Sequence, residues 1–143
     1  MLDVLYVEDN PDDADVFGRV IRKMEKGISY KVINVGSEAL EYLTAEGKYQ
    51  QDTAPLPRLL LLDLDLSEYS GFEIIQKARS LARTRLLPIV VFSTSDSPQD
   101  ISQSLSLGAN AYVVKPGSYQ SINQLLRRLC DFWLIDNNVV PTK

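Results

Sequence analysis

Five side chains in this sequence are of the right types for chemistry on phosphorus: the acids Glu8, Asp9 and Asp63, the hydroxyl of Ser93 and the amine of Lys115. Carboxylates gathered in one place repel one another and need a divalent cation, and ligation by oxygen alone suits magnesium. Such a cation would neutralise phosphoryl oxygens while an aspartate attacked the phosphorus. An ammonium and a hydroxyl could then hold the oxygens of the transferred group. Each residue alone has a plainer role: acids open helices, serines make turns, and lysines carry surface charge. Only joint placement gives the set a meaning. The sequence contains no histidine, which excludes Ser-His and Cys-His hydrolysis, histidine-ligated zinc and a phosphohistidine relay within the chain.

Hydrophobic periodicity predicts elements that would bring the five together. Short apolar strands are expected at Val4–Val7, Tyr30–Val35, Leu59–Asp63, Pro88–Phe92 and Ala111–Val114. Helices fall between them. Asn10 and Pro11 open the first, with Val16, Val20, Ile21 and Met24 inward and Gly27 as its end. Ser37 is expected to cap the second, and the third follows Gly71. Ser97-Pro98 opens the fourth and Gly108 stops it. The fifth starts at Ser118 or Ser121 and ends near Trp133. Alternation of this kind predicts an α/β fold, a five-stranded parallel sheet doubly wound by five helices. In such sheets ligands bind beyond the carboxyl ends of the strands. Glu8-Asp9, Asp63, Ser93-Thr94 and Lys115 all lie at or just past those ends. No Gly-x-Gly-x-x-Gly or Walker lysine loop accompanies the first strand, so nucleotide binding lacks its usual support.

At 143 residues the chain suits one compact domain. Its apolar runs are far shorter than the roughly 18 residues of a membrane span. The start, Met1-Leu2-Asp3-Val4, lacks the basic region of a signal peptide. One cysteine, Cys130, rules out an internal disulfide and fits a reducing compartment. A cytoplasmic protein without membrane contact is expected. The net charge of −4, with its basic residues spread over helix faces, argues against direct binding to nucleic acid.

Four segments then carry a resemblance. Val7-Glu8-Asp9-Asn10, Leu61-Leu62-Asp63-Leu64-Asp65-Leu66, Phe92-Ser93-Thr94 and Gly108-Ala109-Asn110-Ala111-Tyr112-Val113-Val114-Lys115-Pro116 resemble, in order, two-component response regulator receiver domains. The approach to strand three through Pro55 and Pro57, the Ser93-Thr94-Ser95-Asp96 segment and Cys130-Asp131-Phe132-Trp133-Leu134 are most similar to the single-domain regulators paired with phytochrome-type sensor histidine kinases. The resemblance implies a flavodoxin-like receiver fold over residues 1–143, with a core at about 2–133, a tail at 134–143 and no effector domain. It implies that Asp63 accepts a phosphoryl group from a sensor histidine kinase, so that the protein is a switch and not an enzyme. Magnesium would bind Asp9 and Asp63 directly and Glu8 through water, with the backbone carbonyl of Asp65 completing the set. Ser93, with Thr94 beside it, would be the switch hydroxyl and Tyr112 the aromatic that reorients with it. Lys115 would contact the phosphoryl group and precede a cis peptide at Pro116. Ser67 stands where the family usually has proline, and Gly117 where an apolar residue is commoner.

Two rival readings have sequence support. Asp63-Leu64-Asp65-Leu66-Ser67 also resembles the signature of haloacid dehalogenase-type phosphatases. Those enzymes usually carry the nucleophile on their first strand and further acids after the lysine, whereas here Glu8 and Asp9 precede Asp63. A receiver-like interaction module that is never phosphorylated would have no use for the five residues. A homodimer is expected through the face of helix four, strand five and helix five. On that face Leu125 and Phe132 flank the last helix, and Leu134, Ile135, Val139 and Val140 extend the apolar surface; the alternative is that the tail folds back and covers its own domain.

Overall fold

The computed structural model describes residues 2–50 and 55–139. Five parallel strands, β1 (Leu2–Val7), β2 (Tyr30–Ile33), β3 (Pro57–Leu62), β4 (Ile89–Ser93) and β5 (Ala111–Val114), form one sheet in the order β2-β1-β3-β4-β5. Helices α1 (Pro11–Arg22), α2 (Gly36–Thr44), α3 (Gly71–Ser80), α4 (Pro98–Leu107) and α5 (Tyr119–Cys130) connect and follow them. This is the five-stranded, doubly wound α/β architecture that the alternation predicts.

Side-chain parity divides the core into two layers. Leu59 and Leu61 of β3 pack with Val4, Tyr6, Phe92 and the α1 and α5 residues Phe17, Val20, Leu126 and Leu129. Leu60 and Leu62 point the other way, into a layer with Val7, Val91, Ala39, Leu43, Ile74 and Ile75. The four leucines Leu59 to Leu62 are fully buried, as a central parallel strand covered on both faces requires.

Helix ends follow local chemistry with two exceptions. Asn10 caps α1 by accepting from Asp12 and Asp13 N–H, Ser97 caps α4, Ser118 caps α5, and Ser70 and Glu73 form a capping box on α3. Ser37 does not cap α2. The helix begins two residues earlier than a Ser37 cap would place it, at Gly36 with Val35 in the cap position, and the Gly36 N–H is satisfied by the Ser67 carbonyl at 3.1 Å, so a tertiary contact replaces the side-chain cap. A Cβ on Gly36 would lie 2.1 Å from the Glu68 carbonyl oxygen, so this approach requires glycine. The second exception is α1, which ends at Arg22, before Gly27.

The C-terminal segment divides between the two expectations for it, exposed partner surface and a tail folded onto its own domain. After α5 the chain winds a π-helical turn, Asp131–Asp136, in which Leu134 is buried in the α1/α5 layer. Its carbonyl accepts from the Arg58 guanidinium. Leu134 therefore covers its own domain, because burying its apolar surface against Leu59 and Cys130 is available within the chain. Phe132 and Ile135 remain 49% and 47% exposed, and Val140 lies outside the described residues.

At the sheet end away from the acids, Arg79 fixes the register that aims β4 and β5. Its guanidinium donates to the carbonyls of Gly108 (2.8 Å), Thr84 (3.3 Å), Arg85 (3.1 Å) and Leu87 (2.8 Å) and to Asn110 Oδ1 (3.0 Å). Asn110 Oδ1 also accepts from Ile89 N–H at 2.7 Å. Arg79→Ala leaves these carbonyls without their charged donor and is expected to cost about 3 kcal/mol of unfolding free energy, read by urea denaturation. A loss under about 1 kcal/mol would contradict the role given to Arg79.

Candidate functional site

Glu8, Asp63 and Lys115 each sit one step beyond a strand and Ser93 closes one, and the ladder carries them there. Glu8 N–H donates to Ile33 O (3.0 Å), Asp63 N–H to Val7 O (3.1 Å) and Lys115 N–H to Ser93 O (2.7 Å). Parity then chooses the face. Tyr6 and Glu8, Leu61 and Asp63, and Val113 and Lys115 are two residues apart, so Glu8, Asp63 and Lys115 all fall on the α1/α5 side. Ser93 and Tyr112 have the opposite parity, shared with Val91, and fall on the side of α3 and α4.

The acids converge as expected. Ligand oxygens of Glu8, Asp9 and Asp63 lie within 4.8 Å of one another and could hold a metal ion. Glu8 and Asp63 are buried and Asp9 is exposed, a set of oxygens open on one side that fits a hard divalent cation. Asp65 belongs elsewhere as a side chain. It is exposed and is not part of that carboxylate group, while its backbone N–H donates weakly to Asp63 Oδ1 at 3.4 Å. Leu64 N–H holds the same Oδ1 at 2.7 Å. Gly71 lets α3 start against this backbone, since a Cβ there would lie 2.6 Å from the Asp63 carbonyl oxygen.

Asp63 Oδ2 faces the Lys115 ammonium at 3.2 Å, and the same nitrogen donates to Glu8 Oε1 at 2.5 Å and Asp13 Oδ2 at 2.8 Å. The lysine side chain is only 5% exposed, its ammonium 5.7 Å from the centroid of the Phe92 ring. Burial alone would lower its pKa, but the hydrogen bonds to Asp13 and Glu8 and the charge of Asp63 outweigh it and raise it above the ordinary lysine range. The lysine reaches all three acids across a trans Lys115–Pro116 bond, as no cis peptide occurs among the described residues. The expected cis bond is thus corrected: the flexible side chain supplies the inward turn, and trans is the cheaper isomer.

Two contributors escape a reading by strand ends. Asp13 is one, placed by the first turn of α1, which the short Glu8–Asn10 link keeps over the site; its distance from Glu8 is a usable signal. Tyr6 is the other. Its hydroxyl donates to Glu8 Oε1 at 2.8 Å from within the core, a contact that two-residue spacing along β1 foretells. On the far side, Ser93 is fully buried and its Oγ accepts from Ser95 N–H at 3.2 Å. Tyr112 donates its hydroxyl to the Ser95 carbonyl at 2.8 Å. Thr94 is exposed.

Comparison with known proteins agrees with this geometry. Residues 4–127 match the family model described as the response regulator receiver domain. The chain belongs to that family. Among curated relatives, a probable methanogenesis regulatory protein, FilR2, of Methanothrix harundinacea is 30% identical over 131 residues, covering 92% of this chain and 83% of that protein. Among solved structures, the phosphorylated cyanobacterial phytochrome response regulator RcpA superposes with a TM-score of 0.90 at 28% identity, covering 99% of this chain and all of that one. The Mn2+-bound form of response regulator Rcp1 does so with a TM-score of 0.89 at 25% identity, with coverage of 99% and 100%. The receiver domain is of the kind found in phytochrome response regulators, and the haloacid dehalogenase reading has no support among these relatives.

Burial first, and then its hydrogen bond with Asp63, push the Glu8 carboxyl from 4.5 up to about 7, against the opposing pull of Lys115. The folded chain therefore binds a proton where the unfolded chain binds none, and the cation-free protein loses stability as pH rises from about 4.5 to about 7. A divalent cation must displace that proton. Its affinity is expected to be about tenfold weaker at pH 6 than at pH 8. Electron paramagnetic resonance of Mn2+ titrations measures this; equal affinities at the two pH values would contradict it.

Proposed function

We propose that this receiver domain is a phosphoacceptor switch in which Asp63 takes a phosphoryl group from a sensor histidine kinase. One observation carries the reading: a buried carboxylate at the end of the central strand has one oxygen pinned by the Leu64 and Asp65 amides, and the other, free of backbone hydrogen bonds among the described residues, faces an ammonium. The free oxygen, Oδ2, is the nucleophile. It attacks phosphorus, an oxygen–phosphorus bond forms, and the bond from phosphorus to the donor's imidazole nitrogen breaks, its electron pair leaving with the donor.

Glu8, Asp9 and Asp63 would hold Mg2+, with the backbone carbonyl of Asp65 as a further ligand. Bound there, the ion supplies positive charge against the phosphoryl oxygens. Lys115 exchanges its contact with Oδ2 for a phosphoryl oxygen, and the Ser93 hydroxyl donates to another. A hydroxyl that turns toward the phosphoryl group moves off the Ser95 N–H. Ser95 links this event to the opposite face, because its carbonyl holds Tyr112 and its Oγ donates to Asp100 Oδ2 at 2.7 Å on the first turn of α4. Tyr112 and α4 are thus the parts that respond.

The phytochrome relatives favour a phytochrome-type kinase as the partner. The chain acts as one receiver domain, as a signalling protein and not a turnover enzyme, in the cytoplasm; no helix among the described residues is long and apolar enough to cross a membrane. Its negative charge disfavours nucleic acid as a partner. Exposed Leu105 on α4, Val114 on the edge strand β5 and Tyr119 on α5, with Phe132 and Ile135 beyond, support a homodimer through the α4–β5–α5 face.

Acetyl phosphate with Mg2+ is expected to add one phosphoryl group to the protein and none to Asp63→Asn, read by intact-mass spectrometry. Undiminished labelling of the variant would remove Asp63 as acceptor, and an unlabelled wild type would favour the unphosphorylated interaction module. Light scattering at micromolar concentration is expected to give a dimer that Phe132→Asp disrupts; a wild-type monomer both with and without a phosphoryl mimic would exclude self-association.

A further inference from the structure

We propose that Asp13 is a positioning residue that holds the Lys115 ammonium when a cation and then a phosphoryl group take Glu8 and Asp63 away from it. This rests on the reading of Glu8, Asp9 and Asp63 as the magnesium site. The ammonium has three N–H donors, and all three are engaged: by Glu8 at 2.5 Å, Asp13 at 2.8 Å and Asp63 at 3.2 Å. Two of those acceptors belong to the carboxylate group that could bind a metal; Asp13 does not. Two positive charges therefore compete for Glu8 and Asp63. If Lys115 had only those two partners, an incoming cation would leave a buried ammonium unpaired, which is costly. Asp13 removes that conflict.

Its place suits the task. The Asn10 side chain fixes the first turn of α1 by accepting from the backbone of Asp12 and Asp13. Pro11 makes the same turn rigid. The Asp13 side chain is 35% exposed, so its charge costs little when the lysine shifts. Asp12, on the same turn, makes no contact with Lys115 among the described interactions. General helix–dipole stabilisation would use Asp12 and Asp13 alike; holding the lysine uses Asp13 alone.

Calorimetric titration of Mg2+ into the full chain separates these roles. Removing a nearby negative charge weakens cation binding in any case, so the informative quantity is a double-mutant cycle with Lys115→Met. Asp13→Asn is expected to lower Mg2+ affinity about tenfold more in the presence of Lys115 than in the Lys115→Met background. Asp13→Glu is expected to restore most of the loss, and Asp12→Asn to show no such dependence on Lys115. Circular dichroism confirms that each variant is folded, and Asp13→Ser serves if Asp13→Asn is not. An equal loss in both backgrounds, or no loss in either, would overturn the role of Asp13 while leaving the magnesium site standing. A wild type that binds no Mg2+ would remove both readings.

Discussion

Repulsion among acids at adjacent strand ends is the constraint on which this structure turns. Glu8 and Asp63 are buried, with Asp9 beside them, and charge gathered at that density is costly without compensation. Lys115 supplies the compensation in the cation-free state. It comes from the far edge of the sheet, 107 residues from Glu8. Under the proposed function the same ammonium that makes the acids tolerable would release Asp63, and the residue that stabilises the resting site would also be the one that a phosphoryl group recruits.

The sheet makes this economical. Parallel strands in the order β2-β1-β3-β4-β5 bring four strand ends side by side, and parity sends the acids and lysine to one face and Ser93 and Tyr112 to the other. A phosphoryl group on Asp63, as proposed, would lie between the two. Packing beneath it is rigid: β3 is buried on both faces and Arg79 locks the opposite end of β4 and β5. In the β4–α4 loop Ser95 joins Ser93 to Tyr112 and Asp100 through hydrogen bonds.

Much of this was legible in the sequence, because strand ends and helix caps are written locally. Leu59–Asp63 reads as a buried strand, Ser97-Pro98 and Gly108 bracketed α4 as expected, and the β5 bounds needed no revision. Features fixed by contacts between distant segments were less legible. Ser37 looks like a cap, yet Ser67 satisfies the helix start from another loop. Leu134 looks like surface, yet Arg58 and the α1/α5 layer draw it in. Asp13 reads as an ordinary helix-opening acid until Lys115 arrives beside it, and the bond before Pro116 is trans although the lysine turns inward to the acids.

The central claim is that phosphorylation of Asp63 is felt at Tyr112 through Ser93 and Ser95. Amide chemical shifts of the isotopically labelled protein, recorded before and after addition of Mg2+ and beryllium trifluoride as a phosphoryl mimic, test it most directly. The Ser95 amide should show one of the largest shifts outside the acid pocket, together with displaced Tyr112 ring resonances. Shifts confined to the surroundings of Glu8, Asp9 and Asp63, with Ser95 and Tyr112 unchanged, would contradict it.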